Sequence, residues 1–347
     1  MKILFAAPFS GIRTSIFISN YYDSLARAAT RLGHQIEMFD TREIIASSNI
    51  QPWMRKLYRP LSGVIEGLRL MAFFETALRR NLLETVEIHQ PDVIFLYVIN
   101  AQSFSSVVHE IRRRGIIVVM WIGLNPKYLS PGVQRILPEL DCVFCYDPAY
   151  LPYYKNMRCP RVEIVPLGID IEKFDSVKLN QENLSDAPSV SFVGMIDDIR
   201  RRILGSLQGK DLGIWSWNMG AEDTVLEPFF KGEAAGEECI RVLKASPISI
   251  NIHRSFEFSG GNYRLFEIPA CGAMQLVDSK PGIREYFEPD NEIVLFENEE
   301  DLREKVDYFL EHEEQRQTIA RKARARLERD HGIEDRFKRI EQILIKL

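Results

Sequence analysis

The chain has 347 residues, 46% of them hydrophobic and 27% charged, with a formal net charge of −5. That length suits two domains better than one, and the composition is that of a globular chain without low-complexity tracts. The small acidic excess excludes a global electrostatic pull toward nucleic acid or an anionic membrane, so any basic surface must be local.

Residues 2–7 are the first expected strand; the opening apolar stretch, Met1 to Pro8, is too short for a signal peptide. Tyr22, Leu25, Ala29 and Leu32 then repeat at helical spacing, with Gly33 as the stop and 35–39 as the second strand. Segment 53–74 carries Trp53, Arg55, Lys56, Tyr58 and Arg59, then Leu68, Leu70, Met71, Phe73 and Phe74. It suits either a helix packed on its sheet or an interfacial helix making peripheral membrane contact. Residues 92–99 form a continuous apolar run, as in a strand covered on both faces. A helix over 103–114 ends at Gly115, and strands follow over 116–121 and 141–146. Cys142 and Cys145 make a C-x-x-C, but on a strand these positions face opposite sides and no second pair follows, so core packing is expected. With no H-x-x-x-H spacing among six histidines, no metal site is expected. No run of about 18 apolar residues exists to span a bilayer. Five scattered cysteines suit a reducing cytosol, so the expected location is cytoplasmic, at most peripherally membrane-associated.

A polar stretch over 178–189 interrupts the pattern, and the alternation then restarts. Strands are expected at 189–193, 212–215, 248–252, 273–277 and 293–296, with helices at 200–207, 236–244 and 262–271. Three apolar stripes close the chain: Leu302, Val306, Phe309 and Leu310; Ile319, Ala323 and Leu327; Phe337, Ile340, Leu344 and Leu347. The expected fold class is α/β, with two Rossmann-like doubly wound domains facing across a cleft and helices at the C-terminus. The expected division is 1–168, a linker over 169–188, 189–331, and a last helix over 332–347. Ligands of such sheets bind at the carboxyl ends of the strands, here expected in the cleft between the domains.

Two clusters carry candidate chemistry. In the first, a buried strand runs through Asn251, His253 and Arg254 into Ser259-Gly260-Gly261-Asn262, and then into a helix bearing Arg264 and Glu267 that stops at Gly272. Small residues and a capping side chain at a helix start suit a diphosphate. Arg264 and Glu267, three apart, share one helix face. The carboxylate can accept from ribose hydroxyls, while Arg264, His253 or Arg254 can meet phosphate. A surface ion pair and an ordinary loop explain the same residues, and Pro269 is awkward inside so short a helix. In the second cluster, a strand ends at Gly194 and a helix begins with Arg200-Arg201-Arg202. These guanidinium groups suit a phosphate, or else a solvated basic face.

Leu265-Phe-Glu267-Ile-Pro-Ala-Cys-Gly272 resembles the F-E-x-x-A-C-G signature of group 1 (family-4-like) glycosyltransferases of the GT-B fold, and is most similar to the CgeB-like (spore maturation protein) branch. The resemblance extends over about 165–331. It implies a nucleotide-diphosphate sugar donor, with Glu267 on its ribose, Arg200 or Arg201 at the diphosphate, and Gly260-Gly261 near the donor sugar. The implied acceptor is a glycan, a lipid-linked molecule or a protein. No cofactor or metal is required, because arginines and a helix dipole can stabilise the leaving diphosphate. Two departures stand out. Ser259 occupies the position of a family glutamate, and Gly123-Leu124-Asn125-Pro126 stands where the branch often has G-D-D-P.

A catalytic base is expected from the first domain, unless the donor phosphate takes the proton. Of Asn100, Asn125 and Asp147 at strand ends, only Asp147 can act as a base, and it equally suits a helix cap. Asn125, Ser10 and Gly11 are the candidates on the acceptor side. A nucleotide-sugar-binding protein without turnover is one alternative. A nicotinamide-dependent oxidoreductase is another, but the first strand leads into no G-x-G-x-x-G.

Overall fold

The computed structural model describes all residues except 8–15, 41–65, 98–103, 124, 220–222 and 256. Ser10, Gly11 and Asn100 therefore lie outside the described residues. So does segment 53–74, apart from the backbone of the first turns of its helix. Among the described residues, no helix is long and apolar enough to cross a membrane.

The chain divides into two compact units, one holding most of the chain up to Val165 together with Phe337–Leu347, the other Pro166–Arg336. In the first unit, β1 (Lys2–Ala7), α1 (Ile16–Arg31), β2 (Gln35–Asp40), α2 (Glu66–His89), β3 (Val93–Tyr97) and α3 (Phe104–Arg113) alternate. They are followed by β4 (Ile117–Ile122), α4 (Pro131–Ile136), β5 (Cys142–Cys145), α5 (Leu151–Asn156) and β6 (Val162–Ile164). The sheet is parallel, in the order β2-β1-β3-β4-β5-β6. Its central strands are buried along nearly their whole length, as the apolar runs predict. Phe5 stacks on Phe95 at 5.2 Å and Phe95 on Phe144 at 5.6 Å. Burying each such ring contributes up to about 3 kcal/mol. Cys142 and Cys145 are both buried in β5, and burial pushes the Cys142 thiol up to about 12.

In the second unit α6 (Ile171–Ser176) and α7 (Gln181–Ser185) precede β7 (Val190–Val193), α8 (Asp198–Gly205), β8 (Leu212–Trp215), β9 (Phe230–Gly232) and α9 (Glu237–Ala245). Then come β10 (Ile248–Asn251), α10 (Arg264–Ala270), β11 (Met274–Asp278), β12 (Val294–Phe296), α11 (Glu299–Glu311) and α12 (Glu313–Asp330), while α13 (Ile333–Leu344) belongs from Phe337 on to the first unit. The order β12-β11-β10-β7-β8-β9 reverses direction between β7 and β10. One face of this sheet packs Phe192, Ile250 and Leu276 against Ile203, Leu302, Val306 and Ile319; the other packs Val193 against Val242, Leu243 and Ile268. Helices on both faces make the sheet doubly wound.

Two strands, β6 and β9, lie outside those expected from the sequence. β6 and β9 have three residues each and are only partly buried, so neither carries the apolar alternation that marks a strand. Pairing with β5 and β8 defines them instead.

Candidate functional site

In an open parallel sheet the crevice for a ligand opens at the carboxyl ends of the strands where the order reverses. In the second unit that point lies between β7 and β10. Gly194 follows β7; Ile252, His253 and Arg254 follow β10.

Arg200 ties these two strand ends together. Asp197 caps α8 by accepting the Arg200 N–H at 2.9 Å, which sets the first turn and sends the Arg200 side chain inward. Its Nε donates to the Ile252 carbonyl at 3.0 Å, and its Nη1 to the Met195 carbonyl at 2.8 Å. The guanidinium lies 5.7 Å from the Phe192 ring centre and is only 7% exposed. Burial pulls its pKa down, with Glu257 opposing. The sequence expectation placed Arg200 on a phosphate; the structure spends most of its donors on main-chain carbonyls. Arg201 pairs with Asp223 at 2.7 Å and Arg202 with Glu299. The arginine run thus separates into one buried tie and two ion pairs.

His253 is likewise turned inward. Its side chain is fully buried, with Nδ1 2.6 Å from Asp278 Oδ1 and Nε2 2.8 Å from the Gly260 carbonyl. Both ring nitrogens are occupied, so His253 holds the loop rather than a ligand. Burial pushes the Asp278 carboxyl up, but hydrogen bonds from His253 outweigh it and hold it below the usual range. Arg254, by contrast, is half-buried, its N–H bonded to Glu257 at 2.8 Å and its guanidinium 3.8 Å from Met195 Sδ.

The glycines have physical reasons. Gly260 has φ +90, where a side chain is strained, and a Cβ there would lie 2.6 Å from Lys280 Cβ. A Cβ on Gly282 would lie 2.5 Å from the Ser259 carbonyl oxygen. Loop 259–261 and segment 281–285 therefore interlock by backbone approach.

Asn262 caps the following helix, its Oδ1 accepting the Leu265 N–H at 2.9 Å. Its amide also exchanges two hydrogen bonds with Asn251, which reaches Gln275 at 3.0 Å. At 8% exposure it belongs to a buried polar network, not to an open binding surface. Pro269 is accommodated by the same network. The helical hydrogen bond it cannot donate would have used the Leu265 carbonyl, which accepts from Gln275 Nε2 at 3.2 Å instead.

Arg264 and Glu267 meet at 2.7 Å, with side chains 21% and 14% exposed, so the pair is more enclosed than a surface bridge. Arg264 Nη1 also lies 3.0 Å from Cys239 Sγ on α9. Burial pushes the Glu267 carboxyl up, while Arg264 and Lys173 pull it back. Arg264 orients the carboxylate from behind, leaving it partly open.

In the first unit, Asn125 and Asp147 follow β4 and β5, as expected for strand-end residues. Both cap short turns: Asn125 accepts the Lys127 N–H at 2.9 Å and Asp147 the Ala149 N–H at 2.9 Å. They are 2% and 1% exposed. Among the described residues, no group of three or more His, Cys, Asp or Glu is arranged to hold a metal ion.

Asp278, Cys239 and Gln275 were missed by sequence reasoning. Asp278 had a usable signal, since it is the first residue beyond an expected strand, at the edge where ligands bind. Cys239 and Gln275 had none.

Two parallel sheets of this kind, covering the chain end to end, define the GT-B fold. The Anabaena HepE protein in complex with UDP superposes with a TM-score of 0.66 at 15% identity, covering 100% of both chains. The Thermosynechococcus elongatus sucrose-phosphate synthase gives 0.66 at 14%, covering 100% of this chain and 99% of that one. Residues 190–342 match the family model described as Glycosyl transferase-like. The spore protein CgeB of Bacillus subtilis is 21% identical over 266 residues, 69% of this chain and 78% of that protein. The chain has the GT-B fold, its residues 190–342 resemble glycosyl transferases, and it is similar in sequence to CgeB.

Proposed function

We propose that the protein transfers a sugar, a hexose, from a nucleotide-diphosphate sugar to a glycan, lipid-linked or protein acceptor. The observation that carries this is the enclosed Arg264–Glu267 pair on the helix following the strand where the sheet order reverses, inside the family-matched region. The Glu267 carboxylate accepts from the ribose hydroxyls, and Arg254 meets the diphosphate beside the glycine loop. Guanidinium charge then stabilises the leaving diphosphate, so the transfer proceeds without a metal. HepE, of the same fold, has been captured with UDP and with UDP-glucose, which supports a uridine nucleotide as the first donor to try. The acceptor side belongs to the first unit, with Asp147 as the base it offers.

The test is a thermal-shift and calorimetric screen of wild type and Glu267→Gln against UDP, GDP, dTDP, CMP, NAD and their sugar conjugates, followed by a sugar-transfer assay. One nucleotide diphosphate should stabilise the wild type. The variant should bind it about 10- to 100-fold more weakly, as expected for losing hydrogen bonds to a charged acceptor. Unchanged affinity in the variant, or stabilisation by NAD alone, would remove the assignment.

A further inference from the structure

We infer that Asp278 and His253 form a clasp that sets the backbone of the glycine loop 259–261, making both positioning residues for the group that this loop receives. The inference rests on the reading of the crevice as the donor site, but its geometry stands apart from it. Asp278 ends β11 and His253 follows β10, so neighbouring strand ends place them side by side. One carboxylate oxygen accepts both the His253 main-chain N–H at 2.8 Å and its ring Nδ1 at 2.6 Å. The ring is thereby fixed in position and in rotation. Its far nitrogen, Nε2, then meets the Gly260 carbonyl at 2.8 Å, at the residue whose φ of +90 turns the loop.

A carboxylate and a carbonyl oxygen can only accept. The ring satisfies both only when it donates from both nitrogens, as an imidazolium beside its carboxylate counter-ion. A ring with one proton must abandon either Asp278 or Gly260. Keeping the charge-assisted bond to Asp278 leaves Nε2 with its lone pair aimed at the Gly260 carbonyl, and the loop is released. The other charges around this pair are Lys280, 3.5 Å from Asp278, and Arg200, Arg254 and Glu257 on the neighbouring segments. The opposite side of the loop faces Lys280 and Ile283, with no room for a Cβ at Gly260.

The test uses the full chain labelled with 15N, in wild type, Asp278→Asn and His253→Gln. In the wild type both His253 ring nitrogens should report as hydrogen-bond donors. The Gly261 amide resonance, which reports the peptide carrying the Gly260 carbonyl, should shift in both variants. Amide resonances of β7 and β8 should stay in place. Nucleotide affinity should fall about tenfold in both variants, in parallel with the Gly261 shift. A Gly261 resonance indifferent to both variants overturns the clasp. A Gly261 shift with unchanged nucleotide affinity upholds the clasp and removes the donor reading. Should one variant fail to fold, the other decides together with the wild-type ring-nitrogen signals.

Discussion

Replacing Arg200 with alanine should cost the second unit about 3 to 5 kcal/mol of stability. The buried Ile252 carbonyl and the partly buried Met195 carbonyl would lose their donor, and each buried unsatisfied group costs about 1 to 3 kcal/mol. The rest comes from packing lost against Phe192. Arg200→Lys should recover only part, because an ammonium cannot present the fork that reaches both carbonyls. Scanning calorimetry of the full chain, with the second unit's transition followed separately, measures the loss. A change under about 1 kcal/mol would show that the tie between β7 and β10 is incidental. Since these strands frame the crevice, nucleotide affinity should fall with stability.

His331 predicts the second large effect, a loss of stability in mild acid. Its Nε2 donates to the Tyr286 carbonyl at 3.0 Å, while Nδ1 accepts from Arg336 at 2.7 Å. Packed among Phe266 and Phe287 at 5.2 and 5.3 Å, the ring is 5% exposed. Burial pulls its pKa down to about 4, with the Arg336 charge adding to the effect and the Tyr286 hydrogen bond opposing it. The unfolded chain therefore takes up this proton at a higher pH than the folded one. Stability is intact above about pH 6.5, declines as the pH falls toward 4, and settles below that at a deficit of about 3 kcal/mol. His331→Gln should be less stable at neutral pH but should flatten this part of the profile. The difference between wild type and variant, taken at each pH, cancels the carboxylates that also titrate there. Parallel profiles would sink the assignment.

The two histidines show how partners decide chemistry that residue type leaves open. His331 stands between a donor and an acceptor, which a neutral ring matches; His253 stands between two acceptors, which it does not. The sequence offered His253 as a phosphate partner and gave His331 no role. Asn262 shows the same limit from another side. Its place before a helix announced a cap, and it does cap, but the buried amide network with Asn251 and Gln275 keeps its side chain from the open surface.

What the sequence determined by itself is what depends on near neighbours. Apolar runs such as 92–99 and 116–121 announced strands buried on both faces, and helices stopped at Gly33, Gly115 and Gly272, each at positive φ. The alternation of the two kinds of segment implied the α/β class, and Glu267 with Arg264 stood one turn apart on a single helix face. Strand order, and everything that hangs on it, was decided only in three dimensions. The Arg200 tie spans 52 residues and the His253–Asp278 bond 25, and both exist because β10 lies between β7 and β11. Helical and strand periodicity is imposed by local backbone geometry and leaves its mark in any short window. A buried polar group takes whichever partner the packed sheet brings within about 3 Å, and no window of sequence contains that partner.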